Sequence, residues 1–358
     1  VERYWYWLCS CKELYREHLE KLLRIFRNPR QIFKASDTLL NKCGVLNEKQ
    51  ITALQESRKA WDLEKNYHAA LQSGIQFISS EHQAYPEKLK EIIDYPYGIF
   101  LKGRLPDPDH PAVAIVGARR CSAYGKHMAE EIAKVLTEHG VQIISGMAKG
   151  IDGYSQKAAL EAGGSSFGIL GSGVDICYPR EHIGLYTGLI EHGGVISEYP
   201  PGRPPLALHF PMRNRIISAL ADTVLIIEAR EKSGSLITAD LALEQGKDIM
   251  AVPGRIGDVL SSGCNRLIGQ GAGIILSMED LINNLNLQRA NHKKYIKKNI
   301  LLETKEKLVY SCVDFQPRSL HDILGEIKLP TSEVLHILTT LVFKGYIMES
   351  MKNHYMKV

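Results

Sequence analysis

Val113-Ala114-Ile115-Val116-Gly117-Ala118-Arg119-Arg120-Cys121-Ser122 is the stretch that decides how this chain folds. Four apolar residues, three of them β-branched, stop at a glycine, and an amphipathic run from Gly125 to Glu138 follows within a few residues. That is the signature of a buried strand, a tight loop and a helix. The unit then repeats. Further apolar strands are expected at Val141–Ile144, Phe167–Leu170, Val195–Ser197, Thr223–Ile227, Asp248–Val252 and Gly273–Leu276. Helical runs separate them at Tyr154–Ala162, Glu181–Glu191, Asn214–Ala221, Leu236–Gln245 and Cys264–Ile268. Strands that are apolar throughout and alternate with helices are covered on both faces, so the pattern predicts an α/β fold with a doubly wound, Rossmann-like parallel sheet.

Upstream of this core, expected over residues 73–288, residues 1–72 read as short helices. Leu8, Leu14, Leu19, Leu22, Leu23 and Phe26 recur near helical spacing, and Ser36 and Asn47 stand where N-caps belong. The turn at Cys43-Gly44-Val45 fits either a phosphate-holding helix-hairpin-helix or plain helix packing. Downstream, residues 289–307 carry Lys293, Lys294, Lys297, Lys298, Lys305 and Lys307 with few apolar groups, which predicts a solvated basic linker. Residues 308–358 then suit two helices and a short strand pair across Lys352-Asn353, the outline of a winged helix.

The bulk composition narrows the class of protein. With 358 residues, 44% hydrophobic and 23% charged, the chain is long enough for several domains and ordinary for a globular protein. Seven scattered cysteines, none in Cys-x-x-Cys spacing, predict a reduced, cytoplasmic setting without a zinc site. Neither a signal peptide nor a membrane-spanning run is read. A net charge of +4 is too mild to identify a nucleic-acid partner, so the placement of the basic residues must carry that argument.

In an open parallel sheet, ligands gather at the C-terminal ends of the strands, and the informative residues of this chain fall there. Gly117, Arg119 and Ser122 follow the first strand, Ser145 and Lys149 the second, and Lys232-Ser233-Gly234-Ser235 the fifth. Glycines admit an anion to the backbone, helix-start amides donate to it, and Arg or Lys adds charge. The segment His209-Phe210-Pro211-Met212-Arg213-Asn214-Arg215 is expected to stop at Pro211 and place Arg213, Asn214 and Arg215 on the first turn of a helix. Cations there oppose the helix dipole, so either a phosphodiester or a structural acid must compensate them. Asp152, Glu198 and Glu228 are the acids in suggestive positions, with capping or loop hydrogen bonding as their plain role. Gly117 and Gly125-Lys126 are misplaced for a Walker A loop, Gly171-Ser172-Gly173 lacks the third dinucleotide glycine, and no nucleophile, base and acid assemble locally.

Together these clusters resemble the DprA family (DNA-processing protein A, also called Smf). The pieces that carry the resemblance are Tyr85-Pro86 with Leu89, Gly117-Ala118-Arg119 with Ser122, Ser145-Gly146 with Gly150-Ile151-Asp152, Phe210-Pro211 before Arg213-Asn214-Arg215, Lys232-Ser233-Gly234-Ser235 with Thr238, and Pro253-Gly254 before Gly263-Cys264-Asn265. Ala219 stands where the family commonly has Gly. The resemblance implies a Rossmann-like core that binds single-stranded DNA, dimerises, and delivers the strand to the RecA recombinase in natural transformation. It also implies an N-terminal domain resembling a SAM fold, a C-terminal winged helix, and no cofactor. Family DNA-binding positions map onto Arg119 and Lys232, while Ser145, Lys149, Arg213, Asn214 and Arg215, with Gly117, Ser122, Ser233 and Gly234, complete the candidate set by position. Two competing readings remain. Ser233-Gly234-Ser235 with Thr238 and Glu244 also suits a nucleotide phosphoribohydrolase. A winged-helix regulator is the other, although Thr331–Phe343 offers no arginine to read guanine.

Overall fold

A computed structural model of the chain describes residues 1–287, 304–327 and 329–357. They fall into two compact units, Val1–Ala290 and Asn291–Val358. Residues 289–303 of the expected basic linker lie outside the described residues.

The larger unit opens with six helices: α1 (Glu2–Cys9), α2 (Arg16–Phe26), α3 (Pro29–Lys34), α4 (Asp37–Lys42), α5 (Glu48–Ala60) and α6 (Leu63–Gln72). The starts of α3 to α6 follow from side chains that satisfy the free amides of a first turn. Ser36 accepts from Leu39 N, and Asn47 exchanges hydrogen bonds with Gln50 in a capping box. Trp7, Leu22, Ile32, Leu40 and Leu54 are fully buried, and Cys43 and Val45 pack against the same cluster, so the turn at Gly44 serves helix packing. Phe77, Phe100 and Val195 of the sheet belong to this cluster too.

The sheet region continues as β1 (Gln76–Ser79), α7 (Glu87–Lys90), β2 (Gly98–Gly103), β3 (Ala112–Val116), α8 (Ala123–Glu138), β4 (Gln142–Ser145), α9 (Ile151–Glu161) and β5 (Ser166–Ile169). After a 3-10 turn at Arg180–His182 come α10 (Ile183–His192), β6 (Gly194–Ser197), α11 (His209–Leu220), β7 (Thr223–Ile226), α12 (Gly234–Glu244), β8 (Asp248–Ala251), α13 (Ser262–Gly269), β9 (Gly273–Ile274) and α14 (Met278–Asn284). The nine strands lie in the order β1-β2-β6-β5-β4-β3-β7-β8-β9. Pairing is parallel from β6 to β9, and β1 and β2 add an antiparallel margin beyond β6. The chain winds outward from β3 to β6, then returns to lay β7 against β3, Val113 opposite Thr223 and Val116 opposite Ile226. This reversal is the switch point of a doubly wound sheet, where neighbouring loops part and leave a crevice.

Two apolar layers hold the sheet. Ile144, Phe167, Ile216, Ile226 and Leu236 pack on one face, and Ile115, Ile132, Ile143, Ile151 and Leu225 on the other. Two expectations need correction. The strand read at Gly273–Leu276 is only Gly273–Ile274, an edge strand with a single neighbour. The helix read from Asn214 starts at His209, because Pro211 lies in its first turn, where its missing N–H has no bond to lose.

The smaller unit contains α15 (Thr304–Ser311), β10 (Arg318–Ser319), α16 (Leu320–Glu326), α17 (Thr331–Phe343), β11 (Ile347–Met351) and β12 (His354–Lys357). Its strands pair antiparallel in the order β10-β12-β11 around a core that includes Val309, Ile323, Leu338, Leu341 and Ile347. Among the described residues no helix is long and apolar enough to cross a membrane. No group of three His, Cys, Asp or Glu converges among them as a metal site.

Candidate functional site

The loops after β3 and β7 and the first turns of α11 and α12 enclose a cleft of about 690 Å³ at the switch point. Arg119, Phe210, Arg213, Asn214, Lys232 and Ser233 are among its lining residues. Gly117 ends β3 here because a Cβ on it would stand 2.7 Å from the Ile151 side chain and 3.0 Å from the Glu228 carbonyl. Ser122 caps α8 through Gly125 N, and its own N and Oγ donate to the Glu228 carboxylate at 2.8 and 2.5 Å. A Cβ on Gly125 would collide with that carboxylate, so the glycine and the acid are a matched pair. Burial pushes the Glu228 carboxyl up, against the lowering effect of the Ser122 bonds.

Two cations on the rim stay uncommitted. Arg119 and Lys232 are exposed and make no hydrogen bond or ion pair among the described residues. The Arg119 guanidinium lies 5.5 Å from the centre of the Phe210 ring, Arg213 lies 6.0 Å from the same ring, and Tyr178 tilts against Phe210 at 5.6 Å. Arginine, aromatic ring and arginine meet here. Ser233 caps α12, Gly234 opens that helix with free space where its Cβ would be, and Asn214 Nδ2 reaches the Gly234 carbonyl at 3.4 Å. Exposed amides at a helix start beside Lys232 form an anion-accepting corner.

The Arg213-Asn214-Arg215 triplet is arranged differently from its sequence expectation. It sits in the second turn of α11, and both arginines are buried, 4% and 2% exposed. Arg213 donates to the carbonyls of Gly146 and Ile169 and faces Asp152, whose Oδ2 accepts from Gly146 N at 3.1 Å. Burial pushes the Asp152 carboxyl up and draws the Arg213 guanidinium down to about 10, and each charge partly offsets the other's shift. Gly146 lies between them, where a Cβ would be 2.6 Å from Arg213 Nη2 and 2.8 Å from Asp152 Oδ2. Arg215 forks onto Glu198 at 2.8 Å and reaches Asp94 at 2.8 Å, the structural ion pair that the sequence left as an alternative. Asp152, Glu198 and Glu228 are thus all engaged in loop bonds, ion pairs or capping. Ser145 is fully buried and donates to the Ile115 carbonyl, and Lys149 pairs with Glu181 in a neighbouring cavity.

Sequence reasoning left Phe210, Tyr178 and Arg120 out of the site. The available signal was aromatic residues set among cations, a pattern that serves base stacking as well as charge.

Residues 76–286 match the family described as DNA recombination-mediator protein A. The chain belongs to this DprA/Smf family. Smf of Escherichia coli is 42% identical over 231 residues, 64% of this chain and 60% of that protein. DprA of Streptococcus pneumoniae is 44% identical over 198 residues, 55% of this chain and 70% of its own. The match therefore spans less than two thirds of the E. coli relative. Among solved structures, DprA of S. pneumoniae aligns over 79% of this chain and 98% of its own with a TM-score of 0.67 and 34% identity. DNA processing protein A of Helicobacter pylori, in a study of its single-stranded DNA binding mode, aligns over 59% and 96% with a TM-score of 0.53 and 31% identity. This DprA/Smf membership covers the sheet that carries the cleft.

Proposed function

We propose that this protein binds single-stranded DNA in the switch-point cleft. The placement of Arg119, free of hydrogen bonds and ion pairs among the described residues, over the Phe210 ring on the same cleft as Lys232 carries the reading. Phosphates take Arg119, Lys232 and the amides of Ser233 and Gly234, and a base stacks on the Phe210–Tyr178 pair. Gly117 shapes this surface by its close fit against Ile151, and Ser122, Ser145, Arg213, Asn214 and Arg215 act mainly in the same way, since their side chains already have partners. Binding of this kind is sequence-tolerant and falls with salt. The single-stranded DNA studied with the H. pylori relative supports it. On this reading the protein guards incoming DNA in the cytoplasm and loads RecA during natural transformation as a homodimer joined through the core. Residues 1–72 act as a SAM-like domain and 308–358 as a winged helix.

A binding role is favoured over phosphoribohydrolysis because Asp152, which lines the cleft, is turned to a backbone amide, Glu228 is held by Ser122, and Glu244 is exposed at the far end of α12. Anisotropy titrations of single-stranded and duplex oligonucleotides at matched salt test the proposal. Preference for the single strand is expected, and equal affinity for the duplex overturns it. Release of free base from nucleoside monophosphates would replace it with the enzyme reading.

A further inference from the structure

A second cavity of about 790 Å³ lies on the other side of the β4–α9 loop. The loop is a partition: Ala148 lines the switch-point cleft, while Lys149 and Gly150 line the second cavity. It is pinned from both sides. Arg213 holds the Gly146 carbonyl, and His182 Nδ1 donates to the Met147 carbonyl at 3.2 Å, with Met147 in the left-handed region at φ 53°. Arg119 and Arg120 border both spaces, so the two are joined by a cationic rim.

The lining of the second cavity is unequal in charge. Arg119, Arg120, Lys149 and Lys157 face Glu161 and Glu181, four cations against two acids, with His182 and His192 beside them. Each acid is paired with a cation of the same wall: Lys149 with Glu181 at 2.7 Å and Lys157 with Glu161 at 3.5 Å. All four side chains are more than half exposed. Such ion pairs are weak and exchange readily for a stronger anion. Arg120 makes no hydrogen bond or ion pair among the described residues. Gly153, Gly184 and Gly188 keep the helical walls free of side-chain bulk.

We propose that this second cavity is a further phosphodiester-binding section, in which a strand leaving the cleft passes over Arg119 to Arg120, Lys149 and Lys157, and its phosphates displace the carboxylates of Glu181 and Glu161. The inference rests on single-strand binding in the cleft. Lys149, isolated from the cleft by its own loop, gains a role here. Glu181 acts as an internal competitor: it holds Lys149 until a phosphate arrives, and its removal frees that charge.

Fluorescence anisotropy with oligothymidylates of increasing length, on the full chain, tests this. The Lys149→Ala/Lys157→Ala variant, whose two side chains line only the second cavity, is expected to bind the shortest oligomer like the parent and the longer ones about tenfold more weakly. Its salt dependence on the longer oligomers should be shallower by about 1.4, two contacts at about 0.7 each. Glu181→Gln should tighten the longer oligomers about threefold. These residues are exposed, and an unchanged melting temperature will show that the fold is intact. If the double variant matches the parent at every length, the inference is overturned while the cleft reading stands. If Arg119→Ala leaves even the shortest oligomer unaffected, the cleft reading fails and takes this one with it.

Discussion

Two sets of cations, one on the rim of the cleft and one on the helix α11 beside it, live in opposite circumstances. Arg213 and Arg215 are buried, and each finds acids or carbonyls brought from distant parts of the chain: Asp94, Asp152, Glu198, Gly146 and Ile169. Arg119 and Lys232 project from loops with no hydrogen-bond or ion-pair partner among the described residues, Arg119 meeting only the Phe210 ring. Burial with partners makes an arginine part of the scaffold, and exposure without them leaves its charge for a ligand. The difference teaches that a run of basic residues does not identify a binding surface until its acids have been located.

Stability should separate the two sets most strongly. Arg215→Met strands Glu198 as an under-compensated carboxylate and should cost about 3–5 kcal/mol of folding free energy, read as a clear fall in melting temperature. The folded fraction should keep the parent's strand affinity. A harmless substitution would show that the pair with Glu198 holds little together. For Arg119→Ala the effect moves to binding, about 1–3 kcal/mol of single-strand affinity from one charge-assisted contact plus stacking, with the melting point unchanged. The opposite outcome, lower melting and intact affinity, would place Arg119 in the scaffold set.

Lys232→Ala should matter less, under about 1 kcal/mol, and should reduce the slope of log affinity against log salt by about 0.7, one phosphate contact on a single strand. An unchanged slope removes Lys232 from the interface. The smallest expected effect concerns His209, buried at the start of α11, where its Nδ1 donates to the Gly171 carbonyl and its ring stacks on Tyr199. Burial lowers its pKa below the ordinary 6.5. The unfolded chain then takes up the proton first as pH falls, so the stability this group supplies above about 6.5 is lost below it. His209→Gln should therefore flatten the decline in melting temperature between pH 7.5 and 5. An identical decline in both proteins would assign it to other groups.

The parallel core was legible because its strands are apolar runs closed by glycines, and such a run has few alternatives once helices alternate with it. The switch point was legible for the same reason, and it brought Arg119 and Lys232 to one cleft. The antiparallel margin was not read: β1 and β2 precede the repeating unit, and Gln76–Ser79 is too short to announce itself. The start of α11 was misplaced because a proline stops a helix interior but suits a first turn. The burial of Arg213 and Arg215 was beyond local reading, since the partners that hold them outside their own helix lie 17 to 121 residues away in sequence. The residues Phe210 and Tyr178 went unassigned because an aromatic side chain in a sequence carries no sign of whether it faces a core or a rim.

Gly146 sets how much change the site tolerates. Two buried opposite charges are kept in register across a bare strip of backbone, with room for a hydrogen atom and nothing larger. The addition of one methyl group, the least conspicuous substitution in chemical terms, would wedge the guanidinium from the carboxylate and shift the partition on which both cavities depend. The exposed lysines can be lost one at a time at modest cost. Vulnerability here is therefore graded by clearance rather than by charge, and it reaches positions in the site that touch no ligand.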